Sequence, residues 1–252
     1  MTIEWKVVSV SEHRNSCYTP RAGYRHAASS VVAPLLVAEL DNALSHFVIA
    51  FARLKEQVVP VAVLGLEENQ NLYLNADGKW LGLYVPACFR SEPFKLLQTA
   101  DEQKVLGIRT DALVTNGQPL FTASGELAVK DVLNFLASCE SNRAATHQAA
   151  TLLDQAGVLE PMVLKVPVPG SPQRVMNGLY KVNEAALNGL DAHSFAELQG
   201  DSLKLAYAQV FSMSQVSQLT NRLLHHSKNQ PLESVDVESM FSQNNDTLKF
   251  DF

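Results

Sequence analysis

The feature that most constrains the fold is a long amphipathic stretch over residues 126–156. Apolar residues recur there at helical spacing and form one stripe, which consists of Leu127, Val132, Leu133, Leu136, Ala145, Ala149, Leu152 and Leu153. Such a stripe predicts a helix that buries one face against a core. Gly157 follows at the position of a C-terminal cap, where glycine is favoured because it tolerates a positive φ angle.

Short apolar segments rich in β-branched and aromatic residues predict strands on both sides of this helix. In chain order they are residues 3–10 and the segments "FVIAFARL", "VVPVAVLGL", "PFKLLQT", "KVLGIRT", "VLEPMVLKVPVPG" and "QRVMNGLYKV". Several are separated by only a few turn residues, which indicates antiparallel neighbours. Three prolines, at positions 161, 167 and 169, place the segment "VLEPMVLKVPVPG" at a sheet edge, because proline has no N–H to donate to a second neighbour.

Further helices are predicted before and after the strands. Residues 34–46 carry leucines and alanine at helical spacing, which Phe47 continues, and Pro34 suits a first helical turn. Residues 183–224 form several helical pieces, the last with Asp201 as a plausible N-cap. The sequence therefore predicts an α+β fold: one domain over residues 1–224, with a largely antiparallel sheet, a long central helix and a helical C-terminal part. Residues 225–252 are predicted to be a polar, mobile tail whose final "LKFDF" can add to a sheet edge.

Composition excludes several functional classes. The chain has 252 residues and a formal net charge of −6, so it has no broad attraction for phosphates, and we expect no nucleic-acid partner. Its three cysteines, Cys17, Cys88 and Cys139, form no CxxC pair, so we expect buried small side chains and no metal site. The most apolar stretch is interrupted by charges, and the N-terminal segment lacks a signal-peptide pattern. We expect a cytoplasmic protein without a membrane span or a cofactor.

The segment "NLYLNADGKWLGLYVPACFRSEPF" is the first candidate for a functional surface. Asp77 and Gly78 predict a tight hairpin turn. Trp80, Tyr84 and Arg90 follow it, and such aromatic and cationic groups can stack on a ligand or grip a carboxylate. The alternative is that Trp80 closes the hairpin core and that Arg90 pairs with a surface acid.

A second candidate group involves Glu39, which interrupts the apolar run "LLVAEL". On the predicted helix over residues 34–46, Glu39 and His46 share one face, about 10.5 Å apart along the axis. The alternative is a solvated helix face. An enzyme hypothesis combines Glu39 with His26, His46 and Arg90, with a carboxylate or histidine as the general base. GxGxxG, P-loop, GxSxG and HExxH motifs are all absent, which favours a protein that is not an enzyme.

The order and spacing of several segments resemble the SapC family of bacterial proteins. They cover most of the chain from Val31 to Leu224 and are "APLLVAELDNALSHFVIAFARL", "VPVAVLGLEENQNLYLNADGKWLGLYVPACFRSEPF", "GQPLFTASGE", "LLDQAGVLEPM", "GLYKVNEAALNGL" and "LKLAYAQVFSMSQVSQL". The resemblance implies a link to bacterial surface layers and to loci for outer-membrane receptors and halogenase-like enzymes. It brings no reaction, cofactor or active site.

Three functional hypotheses remain open from the sequence. The favoured one is a non-enzymatic binding or accessory protein with a protein or peptide partner, using Glu39, Trp80, Tyr84 and Arg90. The second is an enzyme of unknown reaction built around Glu39, His26, His46 and Arg90. The third is a structural subunit of a surface layer.

Overall fold

The computed structural model describes residues 4–55, 57–168, 172–226 and 235–236. The strands in these ranges are β1 (Trp5–Val7), β2 (Cys17–Tyr18), β3 (Val32–Pro34), β4 (Val48–Leu54), β5 (Gln57–Val63), β6 (Phe94–Gln98), β7 (Lys104–Arg109), β8 (Leu113–Val114), β9 (Gln118–Pro119), β10 (Leu159–Val166), β11 (Arg174–Val182) and β12 (Val235–Asp236). The α-helices are α1 (Val10–His13), α2 (Leu40–Ala43), α3 (Lys130–Gln155), α4 (Glu184–Asn188), α5 (Ala192–Glu197), α6 (Asp201–Ser212) and α7 (Val216–His226). Single 3-10 turns lie at Arg25–Ala27, Val37–Glu39, Ala87–Phe89, Thr110–Ala112 and Met213–Gln215.

The strands form one large sheet and two small ones. The large sheet has the order β10-β11-β4-β5-β3, and β12 pairs with β11. The small sheets have the orders β1-β7-β6 and β8-β2-β9. The pairs along these orders are antiparallel, whereas β12 runs parallel to β11. The predicted α+β class, with its antiparallel sheet, long central helix and helical C-terminal part, is confirmed.

Strand β10 lies at one border of the large sheet, beside β11. Its buried and exposed residues alternate from Pro161 onwards, which is the pattern of a strand with one face on the core. The edge position predicted from Pro161 is confirmed. Lys165 is exposed on the same strand, and a proline and a lysine both protect an edge against pairing with another chain.

Helix α6 fills the gap where β4 and β11 separate. These strands pair at only two positions, Leu179 with Ala52 and Tyr180 with Phe51. Gln209 bridges the gap beyond them: its Oε1 accepts from the Val182 N–H at 2.9 Å, and its Nε2 donates to the Ile49 carbonyl at 3.5 Å. The Ile49 N–H in turn donates to the Ser212 hydroxyl at 2.9 Å. Buried backbone groups that lack a strand partner are thus satisfied by side chains of α6.

Helix α3 contributes to two separate apolar cores, one along its N-terminal half and one along its C-terminal half. The larger core is built from the large sheet with α6, α7 and the C-terminal half of α3, including Ala149 and Leu153. The smaller core includes Tyr18, Phe94 and Ile108 from the small sheets, and Leu136 of α3 closes it. A third group lies at the junction and consists of Leu36, Ala87 and Cys139 with Phe135 packed against them. The candidate site lies at this junction.

The predicted helix over residues 34–46 is wrong in its N-terminal half. Pro34 ends strand β3, and the Leu35 N–H donates to the Pro60 carbonyl, so the chain is still extended here. Leu36 is extended as well, and the only α-helical turn in this stretch of the described chain is α2. The apolar residues of this half are buried. In a buried apolar run, the spacing of the residues does not distinguish a helix from an extended segment. Glu39 and His46 therefore do not share one continuous helix face.

Other element boundaries also differ from prediction, and α3 begins at Lys130 and not at residue 126. Among the described residues of the strand expected over residues 3–10, only β1 forms a strand, because Ser9 caps helix α1 by accepting from the Glu12 N–H. Asp201 is the first residue of α6 and not its N-cap, which is Gly200 with a φ of 87°. The "LKFDF" segment lies outside the described residues.

Candidate functional site

The carboxylate of Glu39 is the centre of the junction. Its Oε1 accepts hydrogen bonds from the Ala87 N–H at 2.6 Å and from the Tyr84 hydroxyl at 2.8 Å. Its Oε2 accepts from the Leu36 N–H at 3.0 Å, and the residue is only 4% exposed. A buried carboxylate with three donors stabilises the groups that surround it, since each donor would otherwise lack a partner. Glu39 therefore fixes the chain around Tyr84 and Ala87 to the segment after β3.

Burial and charge determine the protonation of this group. Burial raises the pKa of Glu39, while its hydrogen bonds with Ala87, Tyr84 and Leu36 and the charge of Arg90 act in the opposite direction. Burial and the nearby Glu39 carboxylate raise the pKa of Tyr84, so its hydroxyl keeps its proton and donates a hydrogen bond to Glu39.

Trp80 is partly buried, and its ring lies within an aromatic cluster. Its ring stacks on Tyr73 at a centroid distance of 5.6 Å and meets Tyr24 edge-on at 5.8 Å. Phe89 packs against it at 6.0 Å. The indole Nε1 donates to the Tyr84 carbonyl at 2.6 Å. Trp80 thus holds the backbone at Tyr84 in place, which matches the packing alternative considered for it.

Arg90 lies at the outer side of the junction. Its Nη2 donates to the Tyr84 hydroxyl at 3.2 Å and lies 3.9 Å from Glu39 Oε1. The guanidinium carbon lies 5.4 Å from the centre of the Tyr84 ring and 4.9 Å from that of Phe135 in α3. The structure thus brings together the four residues predicted as a binding site, Glu39, Trp80, Tyr84 and Arg90. The polar groups of Glu39 and Trp80 are used in hydrogen bonds within the protein.

Arg21 is a member of the site that the sequence analysis missed. Its Nη1 donates to the carbonyls of Phe89 at 2.9 Å and Arg90 at 2.7 Å. Its Nη2 donates to the Tyr24 hydroxyl at 3.0 Å, and the guanidinium lies over the Tyr24 ring at 4.1 Å. The sequence carries no local signal for this role, because the contact joins positions 68 and 69 residues apart.

The Asp77–Gly78 turn is confirmed, and it docks on the same N-terminal loop as Arg21. The Gly78 N–H donates to the Asn75 carbonyl, and Gly78 has a φ of 78°. The Tyr24 N–H donates to the Gly78 carbonyl at 2.7 Å. A Cβ at Gly23 would lie 2.7 Å from that same oxygen, so the close approach requires glycine there. The predicted hairpin is reduced to one bridge, between Leu74 and Trp80.

The two histidines of the enzyme hypothesis pack against phenylalanine rings. His26 meets Phe89 edge-on at 5.9 Å, and burial together with the charges of Arg21 and Arg109 lowers the pKa of His26 to about 4. His46 lies beside Phe47 at 6.4 Å, and its carbonyl accepts from the Tyr73 hydroxyl. In the described part of the chain neither imidazole hydrogen-bonds to Glu39 or Arg90.

Two of the three cysteines also lie at the junction. Burial and the Glu39 carboxylate raise the pKa values of both Cys88 and Cys139. Their thiols are therefore protonated at neutral pH and are poor nucleophiles. Within the described residues, His, Cys, Asp and Glu side chains form no group of three or more that could hold a metal ion.

An exposed loop begins at this fixed point of the structure. Residues 81–90, which we name the 81–90 loop, expose Leu83 at 94% and Leu81 at 49%. The loop backbone is held at three places: by Trp80 at the Tyr84 carbonyl, by Glu39 at the Ala87 N–H and by Arg21 at its C-terminal end. An exposed leucine on a well-held backbone is a feature of a contact surface.

The fold and the site define an α+β protein in which a buried carboxylate fixes an exposed, apolar loop. The family model for SapC matches residues 8–219 of the chain. The protein therefore belongs to the SapC family, as the resemblance in the sequence predicts. Searches of curated proteins and of solved structures find no match. None of the helices in the described ranges has the length and apolar character needed to cross a membrane.

Proposed function

We propose that this SapC-family protein is a non-enzymatic binding or accessory protein that presents the 81–90 loop to a protein or peptide partner. The observation that carries the proposal is the exposure of Leu83 on a backbone that Glu39, Trp80 and Arg21 hold in place. A loop that is ordered before binding loses little conformational entropy when a partner arrives. A partner can therefore gain most of the free energy of burying this leucine.

The cellular role is the broader part of the proposal. The family link to surface layers and outer-membrane-receptor loci favours a cytoplasmic accessory protein that serves surface-protein export or a receptor- and halogenase-associated system. The enzyme hypothesis gains no support from the geometry, because Glu39 already accepts three protein hydrogen bonds, and in the described residues none of them comes from His26 or His46.

The test is affinity capture from a native lysate with the tagged full chain. We expect the wild type to enrich one or more proteins that the Leu83→Ser variant loses by at least about tenfold, since burying a leucine contributes roughly 1.5–3 kcal/mol. Val163→Ser is the matched control, because Val163 is 52% exposed on β10, outside the loop. Equal enrichment of the same partners by the wild type, Leu83→Ser and Val163→Ser would refute a role for the loop.

A further inference from the structure

We infer that the 81–90 loop binds a protein segment that carries a carboxylate next to an apolar side chain, with the carboxylate at Arg90 and the apolar group against Leu81 and Leu83. This inference rests on the proposed function and names the chemistry of the partner. It depends on three properties of the loop: the order of the Arg90 side chain, its unfilled donors and the exposed leucines of the same loop, Leu81 and Leu83.

Arg90 is ordered before any partner binds. Its guanidinium lies between the rings of Tyr84 and Phe135, at 5.4 and 4.9 Å from their centres. Its Nη2 donates to the Tyr84 hydroxyl, which Glu39 holds in turn. Cation–π contacts and this hydrogen bond restrict a side chain that otherwise has many rotamers. A ligand therefore binds a guanidinium that is already ordered, and little further conformational entropy of the side chain is lost on binding.

The donors of Arg90 are mostly unfilled within the described structure. Glu39 Oε1 lies 3.9 Å from Nη2, beyond hydrogen-bond range, and already accepts from Tyr84 and Ala87. The side chain of Arg90 is 38% exposed. A guanidinium has five N–H donors, of which one is used on Tyr84. The remaining donors can form the paired hydrogen bonds that match a carboxylate.

Three other arginines of the chain have a carboxylate partner at hydrogen-bond distance within the fold. Arg53 donates to both oxygens of Asp154 at 3.2 and 2.7 Å, and Arg109 donates to both oxygens of Asp111 at 2.7 and 2.9 Å. Arg143 pairs with Glu140 at 2.8 Å. Arg90 differs from these three because the rings of Tyr84 and Phe135 order its guanidinium without supplying a carboxylate at hydrogen-bond distance. The geometry thus points to a carboxylate from another molecule.

The charge of the whole protein limits the kind of partner. With a formal net charge of −6, the protein as a whole repels an acidic segment. Attraction is then local to Arg90, and apolar contact with Leu81 and Leu83 must contribute the rest of the free energy. A free anion cannot make the apolar contact. A protein segment with an acidic and an apolar side chain matches both parts of the surface.

The experiment is selection of random peptides displayed on phage against the wild type, Arg90→Gln, Leu83→Ser and the control Arg14→Gln. Arg14 is exposed, and its substitution makes the same charge change away from the loop. We expect wild type and Arg14→Gln to select peptides with Asp or Glu next to an apolar residue. A synthetic peptide of the selected sequence should bind Arg90→Gln at least about tenfold more weakly, and Arg90→Lys should recover only part of the loss, because it keeps the charge without the paired donors.

The outcomes separate this inference from the proposed function. If selected peptides lack acidic residues but still depend on Leu83, the carboxylate inference is overturned and the loop remains a binding surface. If no peptide depends on either residue, both fail. Competition with inorganic phosphate at constant ionic strength is the last arm: full displacement of the peptide at millimolar phosphate would show a simple anion site and overturn the inference. Thermal unfolding of each variant verifies that it is folded.

Discussion

At the scale of single residues, the question is what a buried carboxylate contributes here. Glu39 lies at the junction of the two cores, where taking a charge out of water is costly. Three hydrogen bonds and the nearby Arg90 offset this cost. The donors belong to segments far apart in sequence, so the carboxylate links β3's end to the 81–90 loop. Its contribution is therefore both to stability and to the shape of the loop.

Replacement of Glu39 by glutamine should destabilise the protein by about 2–3 kcal/mol at neutral pH. The amide has one acceptor oxygen and an NH2 group, so at least one of the Leu36, Ala87 and Tyr84 donors would face another donor. Urea-induced unfolding measures the effect. Glu68→Gln is the control, because Glu68 is exposed in a loop. A loss for Glu39→Gln no larger than that for Glu68→Gln would contradict the assigned role.

His26 predicts a pH dependence of stability. Its folded-state pKa is lowered from the ordinary 6.5 to about 4. The native state therefore favours the neutral imidazole, whose stabilising contribution is complete above pH 6.5 and is lost as the pH falls from 6.5 through 4. His26→Asn removes this titration, so the variant should lose less stability than the wild type between pH 7 and pH 4. Thermal unfolding across this range tests the difference, with His193→Asn as an exposed-histidine control.

The predictability of the site differs from residue to residue. Glu39 was identifiable because a carboxylate interrupts an apolar run, and Trp80, Tyr84 and Arg90 because aromatic and cationic residues cluster within one short segment. Their convergence was not predictable, because it depends on how the segment after β3 meets the 81–90 loop. Arg21 had no signal at all, since its partners are backbone carbonyls, which every residue carries.

At the scale of elements, strands that pair with a neighbour in sequence were predicted well. The pairs β4–β5, β6–β7 and β10–β11 each follow from two apolar runs and a short connection. Helix α3 follows from its apolar stripe. The error over residues 34–46 arose because residues 34–37 are all buried, so the helical spacing of leucines carried no information about their conformation. The hydrogen bonds of α6 with β4 and β11 join residues far apart in the chain, so no local sequence pattern predicted them.

That contact gives an element-scale prediction. Gln209→Met should cost about 1–3 kcal/mol, because the Val182 N–H would be buried at the gap between β4 and β11 without its acceptor. Methionine keeps the length of the side chain, so loss of volume is a minor part of the effect. Gln199→Met is the control at an exposed position. Chemical denaturation of both variants gives the comparison, and equal stabilities would show that the amide is not needed to join the strands.

At the scale of the molecule, helix α3 connects the two cores. Leu136 is buried in the smaller core, and Ala149, Ala150 and Leu153 are buried in the larger one. Thr146 adds a polar link, since its hydroxyl accepts from the Val37 N–H at 2.9 Å. A rigid helix shared by two cores makes the opening of one costly to the other. The chain over residues 1–224 is thus predicted to unfold as one cooperative unit, which is how a single domain behaves.

Ser141→Pro tests this coupling directly. Ser141 is exposed in α3 between the residues buried in the smaller and the larger core, so the substitution disturbs neither core by its side chain. Proline breaks the helix there at a cost of roughly 3 kcal/mol or more. We expect a broad or two-step transition in calorimetry, compared with a single step for the wild type and for the control Ser141→Ala. A single sharp transition at lower temperature for Ser141→Pro would show that contacts other than α3 couple the cores, whereas two steps in the wild type would show that the cores are separate domains.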